Sequence, residues 1–467
     1  MKNKNASTRG ELFKKIPSIS ELCQILDIDS ISYPQNIIKQ TLRKTLSAIR
    51  KDIEAEKITE NIKEIVVDRA KKDIISITSF NLGSVINGTG IVLHTGLGRS
   101  PLSKKIVLES FDRLYPYSSL EFNVGKNLRG DRNNSIQNIL NPLMGSQSAV
   151  VVNNCAAALL LTLNTLSDNK EVIISRGQQI EIGGSFRIPD VINKSGSIIK
   201  DVGTTNKTHP SDYQNAVSDK TGLILYAHTS NYRVVGFTES IKVEDLSKIA
   251  KKNKVPMIVD AGSGCIGAFQ DFGMPSEKTI KEYFKEGADI VMFSGDKLLG
   301  GPQSGIICGK KRYIDLIKRN SLYRALRSDK ITFAILESTL RAYLLDNKFD
   351  DRNLAINLLV RNRKNLMILG KKIMSKIPSS IIKEYGIELA DTMVEAGSGA
   401  MPVDSLESVG IVFSQANMTP NKLSKKFRIA SCPIVGYIKD DKYIIDLKAI
   451  PLDCFERVAK TISKELS

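Results

Sequence analysis

The sequence predicts an α/β fold, a mostly parallel central sheet with a helical N-terminal region before it and a smaller α+β part after it. Three observations predict it. Short β-rich runs recur through the middle of the chain, helical stretches separate most of them, and from about Arg341 the pattern changes to a long basic helix followed by strand-like pieces.

Taken in order, "SISELCQIL" and "PQNIIKQTLRKTLSAIRKDIEA" space their apolar residues as helices do, which sets apart residues 1–65 as a helical N-terminal domain. The β-rich runs are "SAVVVN", "EVIISR", "SIIKDVG", "GLILYAH", "VPMIVD", "ADIVMF" and "GIICGKK", with "CAAALLLTLNTL" and "VEDLSKIAKKN" among the helices between them. They place an α/β large domain at 66–335. The gap from Phe293 to Gly305 is too short for a helical crossover, so the last pair is expected to be antiparallel. The remainder, 336–467, reads as a small α+β domain containing one long helix, "RNLAINLLVRNRKNLMILGKKIMSKI", and the strand-like "SVGIVFS" and "PIVGYIKDDKYIIDL".

Composition sets the boundaries of function. The 467 residues are 42% hydrophobic, enough for a large core in two or three domains. Apolar runs stop short of the roughly 18 residues a membrane span needs, and "MKNKNASTRGELFKK" carries no apolar leader, so a soluble, cytoplasmic protein with no membrane role is expected. Six cysteines without a CxxC pair and three dispersed histidines signal neither a disulfide framework nor a metal site. A net charge of +17 would attract polyanions, although a composition rich in Lys, Ile and Asn also fits an AT-rich genome.

Ligands of open α/β sheets bind at the carboxyl ends of the strands. Three exits carry chemistry. "VVNNCAAALLL" passes from strand to helix through Asn154, Cys155 and Ala156, offering backbone N–H groups and a helix N-terminus to an anion. "PMIVDAGSG" ends on Asp260 among glycines, and "FSGDKLLGG" supplies Lys297 with the Ser294 hydroxyl three residues earlier. Alone, Lys297 reads more readily as a solvated loop lysine, Asp260 as a helix cap and "NNCAAA" as an ordinary helix start. Together, a phosphate cradle, a carboxylate and a lysine on successive exits are what pyridoxal 5'-phosphate requires: the lysine forms a Schiff base, the acid keeps the ring nitrogen protonated, and the helix N-terminus takes the phosphate. Burial of such a lysine would also favour its nucleophilic amine.

The stretches "VINGTGIVLHTGLGRSPLS", "VVNNCAAALLLTLNTL", "SRGQQIEIGGSFRIPDV", "VGTTNKTHPSDY", "HTSNYRVVGFTE" and "FSGDKLLGGPQSGII" resemble the bacterial selenocysteine synthases, the L-seryl-tRNA(Sec) selenium transferases. The resemblance runs from "LFKKIPSISEL" to beyond "RALRSDKITFAILESTLRAYLL". It implies a fold-type-I pyridoxal phosphate enzyme, a homo-oligomer built as a ring of ten from five dimers, and an N-terminal domain that helps select the tRNA. It also implies that Lys297 and Asp260 hold the cofactor and that Arg99 of "GLGRS", with Arg324 and Arg327 of "RALR", binds selenophosphate. The i, i+3 spacing of the last two would put both on one helical face; a plain basic surface patch is the other reading. Cys155 stands where the family leads one to expect Asn, Asp131 where it leads one to expect Ser, and "AGSGAMP" is an unusual form of a glycine-rich segment.

The implied reaction converts seryl-tRNA(Sec) to selenocysteinyl-tRNA(Sec) by β-elimination of water and addition of selenium from selenophosphate. It needs no catalytic metal. A related lyase acting on a free small amino acid would share the core motifs, and a tRNA-binding protein that has lost catalysis would share the N-terminal helices. The helical domain and positive charge favour a tRNA substrate, and the intact Lys297 favours catalysis.

Overall fold

The computed structural model describes residues 10–28, 32–184, 186–229, 234, 236–267, 277–345, 352–399, 405–414 and 418–467. It divides into two compact units, Met1–Ser84 and Val85–Ser467.

The first unit is helical. Helix α1 (Ile19–Ile25) starts at Ser18, whose hydroxyl accepts from the Glu21 amide at 3.1 Å. Helix α2 (Gln35–Glu54) buries Ile38, Leu42, Leu46, Ile49 and Ile53, one apolar stripe at helical spacing. Helix α3 (Ile62–Thr78) answers with Ile62, Val66, Ala70 and Ile74, and these side chains join Leu22 and Ile28 in a core of their own. The boundary expected at residue 65 therefore falls inside α3. The stripe of α3 runs on to Ile74, and the unit cannot close before that face is covered.

The second unit begins with a two-residue strand, β1 (Ile86–Asn87), and continues into a seven-stranded sheet of β2 (Ser148–Val152), β3 (Glu171–Ser175), β4 (Ile198–Val202), β5 (Thr221–Ala227), β6 (Met257–Gly262), β7 (Ile290–Ser294) and β8 (Gly305–Gly309). Helix α4 (Cys155–Ser167) follows β2. The order across the sheet is β2-β8-β7-β6-β5-β3-β4. Pairing is parallel from β7 to β4 and antiparallel where β8 meets β7 and β2, as the short Phe293–Gly305 gap predicts.

Both faces of the sheet are covered, so alternate residues of one strand enter two different cores. Val151, Ile173 and Val259 pack on one side, while Val150, Val172 and Ile258 pack with α4 on the other. Such strands read as continuous apolar runs, which is why six of the seven stand out in the sequence; β4, at the sheet edge, leaves Ile198, Lys200 and Asp201 exposed.

A second, antiparallel sheet of β9 (Ile387–Val394), β10 (Leu406–Phe413), β12 (Tyr437–Lys439) and β13 (Lys442–Asp446) forms further along the chain, in the order β9-β10-β13-β12. Asp440 and Asp441, with φ of 49° and 55°, make the two-residue turn between its last strands. Beside it, β11 (Ile434–Val435) pairs in parallel with β1. Residues 86–93 consequently belong with the C-terminal sheet and not with the large domain expected at 66–335: the Asp446 amide donates to Gly88 at 2.8 Å and the Leu93 amide to Ala396 at 2.9 Å. A strand of two residues carries too little periodicity to reveal its partner.

The long helix expected across 352–377 is two helices, Leu354–Leu359 and Arg363–Met374. Asn362 caps the second through the Asn365 amide at 2.9 Å, and Arg361 is buried with Nη1 donating to the Ile450 carbonyl at 2.6 Å. Of "AGSGAMP", the residues from 400 on lie outside those described.

Candidate active site

Lys297 lies in the loop that leaves β7, and every residue from 290 to 301 is buried. Hydrogen bonds fix this loop closely: the Gly295 amide donates to Ser304 at 2.9 Å, Gly301 to Gly295 at 2.9 Å, and Leu298 to Ser263 at 3.0 Å. Gly300 has φ +76°, and a Cβ there would stand 2.2 Å from Asn353 Oδ1, so the turn after the lysine accepts only glycine. Lys297 itself is 6% exposed, which removes the reading of a solvated loop lysine.

Asp260 is carried by β6 and is also buried. Its Oδ1 accepts from the Gly262 amide at 3.1 Å and faces the Cys155 thiol at 3.5 Å. Burial pushes its carboxyl above the ordinary range, and the Lys297 charge is the strongest influence opposing this. Burial, then the neighbouring Asp260 charge, pushes the Cys155 thiol well up, while a hydrogen bond with Ser294 acts the other way. Cys155, Asp260, Ser294 and Lys297, read from three separate strand exits, are thus brought together.

Asn154 is the N-cap of α4, its side chain accepting from the Ala157 amide at 2.8 Å. This leaves the first-turn amides of Cys155 and Ala156, which have no intrahelical acceptor by helix geometry, to face an anion. The residues fit the proposed cofactor: a helix N-terminus for a phosphate, a lysine for the carbonyl carbon, and a buried carboxylate that gains a cation when a protonated ring nitrogen meets it. The Cys155 departure bears on the carboxylate as well as on the phosphate end, because the thiol reaches Asp260.

Of the three arginines, Arg324 and Arg327 are placed differently from the expectation. Arg99, in the left-handed region with φ 61°, donates from Nη1 to Asp296 Oδ2 at 3.0 Å, next to Lys297. Arg324 is exposed on helix α5 (Ser321–Leu326). Arg327 is the C-cap of that helix, with φ −65° and ψ 141°, and bridges to Val152, so the helix ends between the two and they do not share a helical face. Arg327 Nη1 donates to Glu121 Oε1 at 3.1 Å. Glu121 also takes Arg132, whose Nε lies 2.9 Å away, and Arg129, and these guanidinium groups, Arg132 first, hold its carboxyl below the usual range. Asp131 accepts from Lys318 at 2.8 Å.

Three further residues were not read from the sequence. His228 follows β5; its amide donates to the Asp260 carbonyl at 2.8 Å, its Nδ1 is 3.3 Å from the Tyr283 hydroxyl and its Nε2 is 3.6 Å from Glu277 Oε1. Ser263 donates from Oγ to Glu277 at 2.7 Å. The available signal was the position of His228 at the end of "GLILYAH", another strand exit.

Residues 85–451 match the family model described as L-seryl-tRNA selenium transferase. The L-seryl-tRNA(Sec) selenium transferase of Alkaliphilus oremlandii is 40% identical over 463 residues, covering 98% of this chain and 99% of the relative. That of Geobacter sulfurreducens is 36% identical over 443 residues, covering 94% and 96%. Among solved structures, a D-glucosaminate-6-phosphate ammonia-lyase superposes with a TM-score of 0.57 at 16% identity, covering 84% of this chain and 98% of that one, a likeness of fold.

Proposed function

Because the chain belongs to the L-seryl-tRNA selenium transferase family, we propose that it converts seryl-tRNA(Sec) to selenocysteinyl-tRNA(Sec) with selenophosphate as donor, in the cytoplasm. It is a transferase dependent on pyridoxal 5'-phosphate. The observation that carries the reading is the burial together of Lys297 and Asp260, whose carboxyl feels the lysine charge.

Bound pyridoxal phosphate supplies the electron sink that lets the seryl Cα–H ionise and the β-hydroxyl depart. The chain's own residues do the rest. Lys297 Nζ anchors the cofactor and, when free, takes the Cα proton. Asp260 holds the proton on the ring nitrogen, and its contact with Cys155 keeps the carboxylate oriented. The amides of Cys155 and Ala156, the Asn154 turn and the Ser294 hydroxyl receive the phosphate. Arg99, Arg324 and Arg327 are assigned to selenophosphate, with Asp296 and Glu121 relieving the repulsion among guanidinium groups. The helical unit, Met1–Ser84, is assigned to the tRNA.

We assign a homo-oligomer, a ring of ten by resemblance. Leu108, Phe111, Tyr115 and Tyr117, 58% to 90% exposed on and just after the helix Lys104–Leu114, support it as apolar surface that a second copy would cover.

The test is conversion of purified seryl-tRNA(Sec) with pyridoxal phosphate and selenophosphate. Formation of selenocysteinyl-tRNA is expected. Turnover of free serine with no preference for this tRNA would move the chain to the lyases.

A further inference from the structure

We propose that Glu277 is a positioning residue of this active site: through the His228 imidazole and the Ser263 hydroxyl it ties together the loops leaving β5, β6 and β7, and so sets the protonation of the cofactor held by Lys297. The inference rests on the cofactor reading given above.

The connections run through named atoms. Glu277 Oε1 accepts from Ser263 Oγ at 2.7 Å; the Ser263 carbonyl accepts from the Leu298 amide, one residue past Lys297, at 3.0 Å. On the other side His228 Nε2 stands 3.6 Å from the same Oε1, while the His228 amide donates to the carbonyl of Asp260 at 2.8 Å. One carboxylate, with its side chain 11% exposed, thereby bonds the loop that follows Asp260 and, through the Ser263 carbonyl, reaches the loop of Lys297. A largely buried carboxylate is costly to keep without a donor; the Ser263 hydroxyl supplies one at 2.7 Å, and the His228 ring stands close by at 3.6 Å.

Two groups flank the imidazole. Burial raises the Tyr283 phenol well above its ordinary value, so a neutral hydroxyl stands 3.3 Å from His228 Nδ1, and Glu277 lies 3.6 Å from Nε2. The charged groups facing His228 are Glu277 and Asp260 on one hand and Lys278 and Lys297 on the other; burial outweighs them and holds the ring neutral at neutral pH. A neutral imidazole packed between Tyr283 and Glu277 passes the position of Glu277 to the Asp260 loop without adding a charge beside Lys297.

The experiment reads the pH midpoint of the visible absorbance of the pyridoxal phosphate-loaded protein. In Glu277→Gln, loss of a negative charge disfavours the cationic form of the lysine-bound cofactor, and the midpoint is expected to fall by about one pH unit. In a His228→Asn background the same substitution is expected to shift it by less, because one of the two connections is already cut. An equal shift in both backgrounds, or none in either, overturns the proposal. Should Glu277→Gln fail to fold, Ser263→Ala replaces it, with a shift in the same direction expected and an unmoved midpoint overturning the proposal. A wild-type chain without any visible band would overturn the cofactor reading as well; a band with an unmoved midpoint overturns this proposal alone.

Discussion

Arg99 donates to Asp296 at 3.0 Å across 197 residues of sequence, and Asp296 is the residue before Lys297. The arginine side chain is 38% exposed and the aspartate side chain 7%, so the pair presents a guanidinium to solvent from a buried anchor. Arg99→Ala should leave Asp296 buried without its cation and lower stability by roughly 1.5 to 3 kcal/mol. Denaturant unfolding measures it. An unchanged midpoint would mean that the pair is made only weakly in solution.

Lys297→Ala should abolish the borohydride-reducible link between protein and cofactor and cut turnover by at least about a hundredfold. Asp260→Asn should retain cofactor but lose turnover, since an amide cannot hold a ring-nitrogen proton by charge. Mass spectrometry after reduction scores the first, absorbance and turnover the second. Cofactor attached at another lysine would reject Lys297.

The two arginines around the end of α5 should separate. Arg324→Ala removes an exposed side chain and should leave stability unchanged, whereas Arg327→Ala removes one of the three guanidinium partners of Glu121 and should destabilise. Both should weaken use of selenophosphate about ten- to a hundredfold while sparing elimination of water from seryl-tRNA. Scoring aminoacrylyl-tRNA apart from selenocysteinyl-tRNA checks this. Equal damage to both steps would assign these arginines to the tRNA or the cofactor.

Deletion of residues 1–84 should leave a folded, cofactor-loaded remainder, because the first unit has its own core. Binding of the selenocysteine tRNA, measured by filter retention at fixed salt, should fall. Undiminished binding would remove the helical unit from tRNA recognition.

Lys448 donates from Nζ to the carbonyls of Arg361 at 2.6 Å and Glu407 at 3.4 Å, and burial brings its pKa down to about 8. Its folded value lies below its unfolded one, so between about pH 8 and the ordinary lysine value the unfolded chain binds more protons, and this group makes stability rise with pH. Urea unfolding at pH 8 and pH 9.5 should show a steeper rise in the wild type than in Lys448→Met. Parallel behaviour of the two would assign the pH dependence elsewhere.

The seven sheet strands, the antiparallel return of β8 and the strand-exit placement of Asp260 and Lys297 were legible in the sequence, because strands buried on both faces, as all but the edge strand β4 are, must be apolar throughout and their ends must turn through small residues. The resemblance supplied the chemistry that periodicity could not. Hidden from the sequence were the pairing of β1 with β11, the break before Arg363, the end of α5 between Arg324 and Arg327, and the tie of Glu277 to His228 and Ser263. Local pattern determines which residues enter an element and which face they bury. The partner of a two-residue strand or of a single buried carboxylate depends on which distant donors the packed chain brings within about 3 Å, and only the tertiary structure decides that.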